Sequence, residues 1–494
     1  MFLVVDLGTT SVRSSIIDKF GKTLAFEARE YPIIHPKPDW AEQDPLVWWK
    51  NVVITMKAVT AKVKQNKCIS AITVTSQREG LVPVDDKCRC LSNCIIWMDK
   101  RTVSQAEEVK KVAGTNAVFK LTGLRIDPSF SLCKLLWIKH NKPELYRSAY
   151  KFLQAEDYII AKLTGRFVTE PSIASRTMML DIRKRVWSRQ MFTKFGVDTK
   201  KFPEILESGT VVGEVLPSIA REVGLEGVTK VITGGGDQQC AAVGVGAVKE
   251  GIVSVSIGTS SVLSMTLNHP VLDPGRKMLC CCAAVPGKWE LEPPIWTTGV
   301  LLRWCRDVLY ENTNYDDMVS SAVKTGIGAG KLVVLPYFMG AGAPLWNPDA
   351  RGVFIGLTLG HTRENIVRAV LESVAYEIRS NLEYMEHLGV KIGTVILSGG
   401  GAKSRLWAKI VADCIGKRIV LTASAEAATL GAAVLASTST GTYQTVYDAV
   451  KHMVHHKSIV IPDKRNYREY TKYYGVYKNA YAGLEKVFHL IAGI

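Results

Sequence analysis

Two carboxylates in this chain stand where a phosphoryl group could be handled. Asp237 follows Gly234-Gly235-Gly236 at the end of the apolar run Val228 to Thr233. Loops at the carboxyl ends of strands face the ligand crevice of α/β sheets. A carboxylate there can take the proton of a substrate hydroxyl as that hydroxyl attacks phosphorus. The same placement also fits a helix N-cap aspartate. Asp6 follows the apolar run Phe2 to Val5 and opens Asp6-Leu7-Gly8-Thr9-Thr10-Ser11. It suits magnesium held through water, since magnesium keeps much of its hydration shell. It suits equally an acidic turn residue that caps an amide. A second turn, Ser256-Ile257-Gly258-Thr259-Ser260-Ser261, repeats the first without its acid. Turns of this kind offer backbone N–H groups and small hydroxyls to an anion such as a nucleotide phosphate. Gly8 and Gly258 are 250 positions apart in a chain of 494, as a duplicated domain would place them. One half would then hold a metal or the reacting phosphate, and the other the rest of the nucleotide.

Other clusters are less specific. Gln77-Arg78-Glu79 ends a predicted strand; Arg donates and Glu accepts, so the pair could bracket vicinal hydroxyls, or form a plain surface ion pair. Trp97-Met98-Asp99 could supply an apolar wall and an acceptor, or a core tryptophan. Gly399-Gly400-Gly401-Ala402-Lys403-Ser404 departs from a strict P-loop, with Ala402 and Leu397 where glycine is required. It reads as a backbone-lined slot for a base or ribose, or as a strand-to-helix turn. Cys88, Cys90 and Cys94 lack the spaced second pair of a zinc site, and Cys280-Cys281-Cys282 read as strand core. His452, His455 and His456 lie on a basic helical stretch and read as a solvated face. Tyr467, Tyr470, Tyr474, Tyr477 and Tyr481 are spaced at three and four, which predicts a helix packing on its tyrosine face.

The elements that must position these residues alternate between strand and helix, which predicts an α/β fold. Strand, Gly-Thr turn and strand fill residues 1–34, with a turn at Asp18-Lys19-Phe20-Gly21. A helix spans 45–66 and a strand Ile69 to Val74; Leu81 to Val84 and Cys94 to Trp97 are further strands. Residues 101 to about 165 are more helical. The second half restarts near 250, with a helix from Arg363 to Leu388 and a strand Thr394 to Leu397. No low-complexity linker separates the halves, so they are expected to pack around a cleft. An apolar content of 47% is ordinary for globular chains, and no run of 18 apolar residues predicts a membrane span. The start shows no basic leader, so no signal peptide is expected. Eleven cysteines in no regular framework suit a reduced, cytoplasmic protein. The net charge of +16 fits a basic surface or attraction to anions such as nucleotides and sugar phosphates. The basic residues are scattered, without the stripe and stacking aromatics of a nucleic-acid binder.

Taken in order, these pieces resemble the FGGY carbohydrate kinases over essentially the whole chain. Asp6 to Ser11 looks like the family's first phosphate motif, Trp40-Ala41-Glu42-Gln43-Asp44-Pro45 like the segment before its first long helix, and Gly234 to Gln239 like its catalytic-base motif. Ser256 to Ser260 looks like its second phosphate motif. Gly352 to Leu357, Asn365-Ile366 and Ala369 to Glu372 are similar to its C-terminal signature. Ser398 to Gly401 and Glu426 to Gly431 look like its adenosine-side motifs. Each motif alone is weak, and their order is the strong signal.

The resemblance implies two actin-like, ribonuclease-H-like ATPase domains, residues 1–245 and 246–494, around a central cleft. The sugar would bind mostly to the first and ATP mostly to the second. It makes Asp237 the base and puts Asp6 and Asp237 at the magnesium. The ATP side would comprise Thr9, Thr10, Ser11, Arg13, Gly258, Thr259, Ser260, Gly299, Gly400, Gly401, Ala402 and Arg405. The sugar would meet Gln77, Arg78, Glu79, Trp97, Asp99, Ser129 and Gln238 besides Asp237. Arg78-Glu79 and Trp97 look like glycerol kinases, where xylulokinases usually carry Met-His in place of Arg-Glu. Ser129 stands where glycerol kinases place a substrate-contacting tyrosine, which would widen the pocket. Leu301 to Asp307 looks more like xylulokinases and autoinducer-2 kinases. The expected substrate is a pentulose such as D-xylulose, with glycerol or the autoinducer-2 precursor as alternatives. A homodimer is among the assemblies the resemblance implies, with no membrane or nucleic-acid partner. The same fold also allows an actin-like ATPase that drives a protein partner, or a sugar-binding regulator without turnover; retention of both Asp6 and Asp237 argues against the last.

Overall fold

The computed structural model describes residues 1–63, 69–310, 313–424 and 426–494. Its first half is built on a six-stranded sheet in the order Val211–Glu214, Lys230–Gly236, Ala71–Ser76, Phe2–Leu7, Ser11–Ile17, Thr23–Glu30. Phe2–Leu7 runs antiparallel to Ser11–Ile17 and parallel to Ala71–Ser76, which runs parallel to Lys230–Gly236. The second half repeats this arrangement. Ile252–Ile257 is antiparallel to Ser261–Leu267 and parallel to Thr394–Ser398, which is parallel to Arg418–Thr422. The duplication expected from the two Gly-Thr turns is thus a duplication of sheet topology, and the fold is mixed α/β with the actin-like architecture.

Central strands in such sheets are buried on both faces, which is why they read as continuous apolar runs. Every residue of Phe2–Leu7 is buried. Leu3, Val5 and Leu7 face helices Pro45–Ala61 and Ala155–Thr164 through Trp48, Val52, Met56 and Ile159. Phe2 and Val4 face the other way, against Leu430, Val434 and Leu435. Full burial of each such side chain contributes about 1.5–3 kcal/mol. Helix Pro45–Ala61 starts as its sequence predicts: the Asp44 carboxylate accepts the Leu46 N–H at 2.8 Å, with proline at the first helical position. Its expected end, residues 64–66, lies outside the described residues.

Helix Ala427–Ser439 belongs to the second half in sequence, yet it lies on the first sheet. Helix Asp237–Val245 crosses it so closely that a Cβ on Gly244 would stand 1.9 Å from the Ala427 carbonyl oxygen. One on Gly431 would stand 1.8 Å from that of Cys240. The outer side of Asp237–Val245 packs through Ala242 and Val245 on Ile396 and Val420 of the second sheet.

The helical stretch expected over 101–165 holds five helices and the short strand Lys151–Leu153. Val82–Val84 pairs with that strand, and Cys94–Ile95 pairs with Glu42–Gln43. The helix near His452 stops at Met453; His456 opens a strand, and its Nε2 lies 3.2 Å from the Val245 carbonyl oxygen. That histidine therefore joins two elements instead of sitting on a solvated helical face. The tyrosine stripe packs as expected, with Tyr470, Tyr474, Tyr477 and Tyr481 buried on helix Lys464–Ala492. The ten described cysteines are all free, and Cys280–Cys282 form a buried strand. Among the described residues no helix is long and apolar enough to cross a membrane.

Candidate active site

A cavity of 570 Å³ opens between the halves. Thr9, Gln77, Arg78, Glu79, Trp97, Ser129, Asp237 and Gln238 line it from the first half, and Ser260, Glu292, Trp296 and Trp346 from the second. Asp237 is the first residue of its helix, so the positive end of the helix dipole lies beside its carboxylate. Its Oδ1 accepts the Gln238 N–H at 2.8 Å and lies 3.4 Å from Arg78 Nε. Burial raises the Asp237 pKa and Arg78 draws it down; the net shift is upward. A carboxylate that holds its proton more tightly than usual is a stronger general base.

The three glycines before Asp237 serve packing. A Cβ on Gly234 would stand 1.9 Å from the Val74 carbonyl oxygen, and one on Gly236 2.5 Å from Arg78 Cδ. The sequence suggests close approach of a ligand there; the neighbours that need the room are a strand and the Arg78 stem.

Arg78 and Glu79 belong to a buried charge network that spans both halves. Arg78 Nη1 is 2.5 Å from Glu292 Oε2, which also accepts Gln239 Nε2 at 2.5 Å. Arg176 Nε donates to Glu79 Oε1 at 2.6 Å, and Arg176 Nη1 lies 3.3 Å from Glu292 Oε1. Burial opposes the charge on Arg78, and Glu292 overrides it, so the guanidinium stays charged. Burial likewise pushes Glu292 up, and Arg176 with Arg78 brings it below the ordinary carboxylate value. This is no surface ion pair: Arg78 and Glu79 are both under 10% exposed.

Glu79 holds a left-handed backbone with φ of 67°, which costs a side-chain-bearing residue about 1–2 kcal/mol. Its surroundings over-determine that geometry. The Glu79 N–H donates to Gln154 Oε1 at 2.8 Å, and its carbonyl accepts Lys134 Nζ at 2.8 Å and Ser131 Oγ at 3.1 Å. Lys134 is fully buried, its pKa pushed down to about 8 by burial, and it also donates to the Ser129 carbonyl. One lysine thus fixes two cavity residues. Gln77 lines the cavity and donates to Gln43 at 2.7 Å, while its own Oε1 is buried without a partner.

The structure moves one expected sugar contact away. Asp99 does not line the cavity. Its Oδ2 accepts the Ala41 N–H at 2.6 Å and Arg101 Nη2 at 2.7 Å, and it serves to seat Arg101 over the Trp40 ring. Trp97 is 41% exposed, lines the cavity and donates to Thr9 Oγ1 at 3.1 Å, so it is no core tryptophan. Ser129 is held by Asp127, with Oγ to Oδ1 at 2.6 Å.

On the other side, the expected nucleotide residues converge. Gly299 N–H donates to the Gly258 carbonyl at 2.9 Å, and a Cβ on Gly299 would stand 2.3 Å from that oxygen. A Cβ on Gly401 would stand 2.4 Å from Ile257 Cγ2, so the Gly399–Lys403 turn lies directly against the second Gly-Thr turn. Thr259, Ser260, Gly400 and Ala402 sit in these two turns, and Arg405 is an exposed residue of the helix that follows. Thr10 and Ser11 sit in the first turn, and Arg13 pairs with Asp6 at 3.5 Å and Glu426 at 3.3 Å. The Asp6 pKa is raised to about 7: burial lifts it most, Arg13 lowers it, and Asp237 and Glu426 add to the rise. Asp6, Asp237 and Glu426 therefore share one electrostatic neighbourhood. Among the described residues no three His, Cys, Asp or Glu side chains converge as an all-protein metal cage.

Sequence reading missed Arg176, Glu292, Gln239 and Lys134. The one local signal is Trp289-Glu290-Leu291-Glu292, where one acid lies in strand Trp289–Leu291 beside an all-cysteine strand and the other directly follows it, so that both are buried.

The N-terminal domain of the FGGY family of carbohydrate kinases matches residues 1–244, and the C-terminal domain of that family matches residues 253–440. The chain belongs to the FGGY family of carbohydrate kinases. A xylulose kinase of Escherichia coli is 30% identical over 471 residues, covering 95% of this chain and 96% of its own. A gluconokinase of Bacillus subtilis is 29% identical over 501 residues, covering 99% and 97%. The crystal structure of a ligand-bound xylulose kinase from Lactobacillus acidophilus superposes with a TM-score of 0.93 at 25% identity, covering 99% of this chain and all of that one. The protein is thus a sugar kinase, a phosphotransferase of a family that uses ATP.

Proposed function

We propose that this kinase transfers the γ-phosphoryl group of magnesium-bound ATP to a hydroxyl of a pentulose, D-xylulose first, with Asp237 as the base. The observation that carries the reading is Asp237 itself: a partly buried carboxylate with a raised pKa at the head of a helix, inside a cavity lined by both halves. Gln77, Arg78, Glu79, Trp97, Ser129 and Gln238 orient the sugar. Arg78 offers donors, and Gln77 and Glu79 offer acceptors. The hydroxyl proton passes to Asp237 as the oxygen attacks phosphorus.

Thr9, Thr10, Ser11 and Arg13 face the phosphates from the first half. Gly258, Thr259, Ser260 and Gly299 face them from the second, with Gly400, Gly401, Ala402 and Arg405 towards the nucleoside. Asp6 and Asp237 fit magnesium bound through water, because two carboxylates with substrate phosphates are the usual set for this ion. The ion would neutralise charge on the phosphates. Arg13, which reaches Glu426 across the halves, supports their closure, and closure excludes water so that the sugar and not water is phosphorylated. We place the boundary between sugar and nucleotide domains at 245/246 and the protein in the cytoplasm, where free cysteines persist; a homodimer is the assembly to test.

One feature favours a second substrate. Arg78-Glu79 resembles the pair that glycerol kinases carry, so glycerol is the runner-up. The deciding experiment measures ADP release with magnesium and ATP across D-xylulose, L-xylulose, ribulose, erythrulose, glycerol, gluconate, ribitol and the autoinducer-2 precursor. D-xylulose standing well above the rest is the expected result. Turnover with glycerol alone overturns the pentulose reading, and turnover that depends on no small polyol favours the partner-driven ATPase.

A further inference from the structure

The tyrosine stripe of helix Lys464–Ala492 packs against helix Arg363–His387, but it does not fill the space between them. A second cavity of 390 Å³ lies there, and it shares no residue with the first. Its floor is Glu377 beside the buried rings of Tyr337, Tyr474 and Tyr477.

Glu377 is 5% exposed, and its carboxyl group makes no hydrogen bond or ion pair with any described residue. Burial alone pushes its pKa up to about 8. No hydrogen bond joins it to the tyrosine hydroxyls beside it. Those of Tyr337 and Tyr477 lie 2.6 Å apart, and that of Tyr474 lies 3.0 Å from both Ser380 Oγ and Glu383 Oε2. A buried carboxyl group without a partner is costly, and Glu377 lines the cavity, from which a donor can reach it. The wall also takes a cation already: the ammonium of the exposed Lys478 sits 4.6 Å from the centre of the Tyr474 ring.

We propose that this cavity binds a small organic cation, a primary ammonium group seated on Glu377 with its carbon chain against the tyrosine rings. The ammonium supplies the donors that Glu377 lacks. The rings supply an apolar wall whose electron-rich faces favour positive charge. Lys478 acts as a tethered competitor at the rim.

The test is calorimetric titration of the full chain with n-butylammonium chloride, with n-butanol as the neutral control of equal length. Saturable binding is expected, with n-butanol at least tenfold weaker. Glu377→Gln should weaken n-butylammonium at least tenfold, Lys478→Met should tighten it severalfold, and Asp237→Asn should leave it unchanged. The proposal is overturned if wild type and Lys478→Met both give no saturable heat, or if n-butanol binds as well. It is equally overturned if Glu377→Gln binds as tightly, or if Asp237→Asn abolishes binding and so moves the site to the first cavity. Should Glu377→Gln fail to fold, the n-butanol comparison and Lys478→Met decide.

Discussion

Gly8 donates its N–H to the Ser11 carbonyl at 3.0 Å, and Gly258 donates its N–H to the Ser260 carbonyl at 3.0 Å. The first turn places four residues between the paired Leu7 and Val12; the second places three between Ile257 and Ser261. Beyond that shared backbone the two diverge. Asp6 pairs across its hairpin with Arg13, whose guanidinium reaches Glu426 of the second half. Ser256, the counterpart of Asp6, pairs with Val262 and carries no charge. The second turn is crowded instead, with Gly299 against Gly258 and Gly401 against Ile257. Duplication supplied one strand-turn-strand backbone twice. One copy now carries an acid paired with an arginine, and the other carries a close-fitting surface.

The largest test of that division is Asp237→Asn. Loss of the proposed base should lower kcat by about 10²–10⁴-fold in a sugar-dependent ADP assay. Full activity in this variant would remove the first half's claim to the chemistry. Next comes the pair Asp6→Asn and Ser256→Ala. The former should cost roughly 10²-fold in kcat and demand more magnesium, the latter no more than about threefold. Equal losses would break the contrast between the turns. Lys134→Met should raise the sugar KM about tenfold, because Glu79 and Ser129 lose their common anchor. kcat should fall less, and kcat and KM measured together on the preferred sugar would show it.

The pH dependence sharpens the same contrast. As the proposed base, Asp237 would act unprotonated, so kcat/KM should rise with pH, half-maximal above the ordinary aspartate value. Arg78 lowers that pKa, so Arg78→Met should move the midpoint upward. Stability runs the opposite way. Asp6 keeps its proton to about 7 in the fold and releases it near 3.8 when unfolded. The metal-free chain should therefore lose stability as pH rises from about 4 to 7, and Asp6→Asn should flatten that part of the melting profile. The smallest effect is expected from Trp97→Phe. It removes one exposed hydrogen bond to Thr9 and should change KM by about twofold.

What the sequence disclosed follows a physical rule. The positions of Asp6, Asp237 and both Gly-Thr turns at strand ends were legible because each motif is a local strand-to-turn unit. Arg78-Glu79 was legible as a polar pair. Its partners Arg176, Glu292 and Gln239 were not, because they meet it from 97 to 214 positions away in a buried network that only the fold assembles. Asp99 misled for the opposite reason. Its oxygens are spent on Arg101, two residues on, and on the Ala41 amide, so a strand-end acid became a structural one.

The crossing of helices Asp237–Val245 and Ala427–Ser439 has a bearing on ancestry. Each helix covers apolar surface belonging to the other half, and the two touch backbone to backbone at Gly244 and Gly431. The duplicated halves have in effect exchanged parts. Neither can be transplanted or shed like an independent module, since either one alone would leave Phe2, Val4 and Ile232, or Ile396 and Val420, bare to water. Any recombination that swaps a half between relatives must inherit both helices from one parent, glycines included.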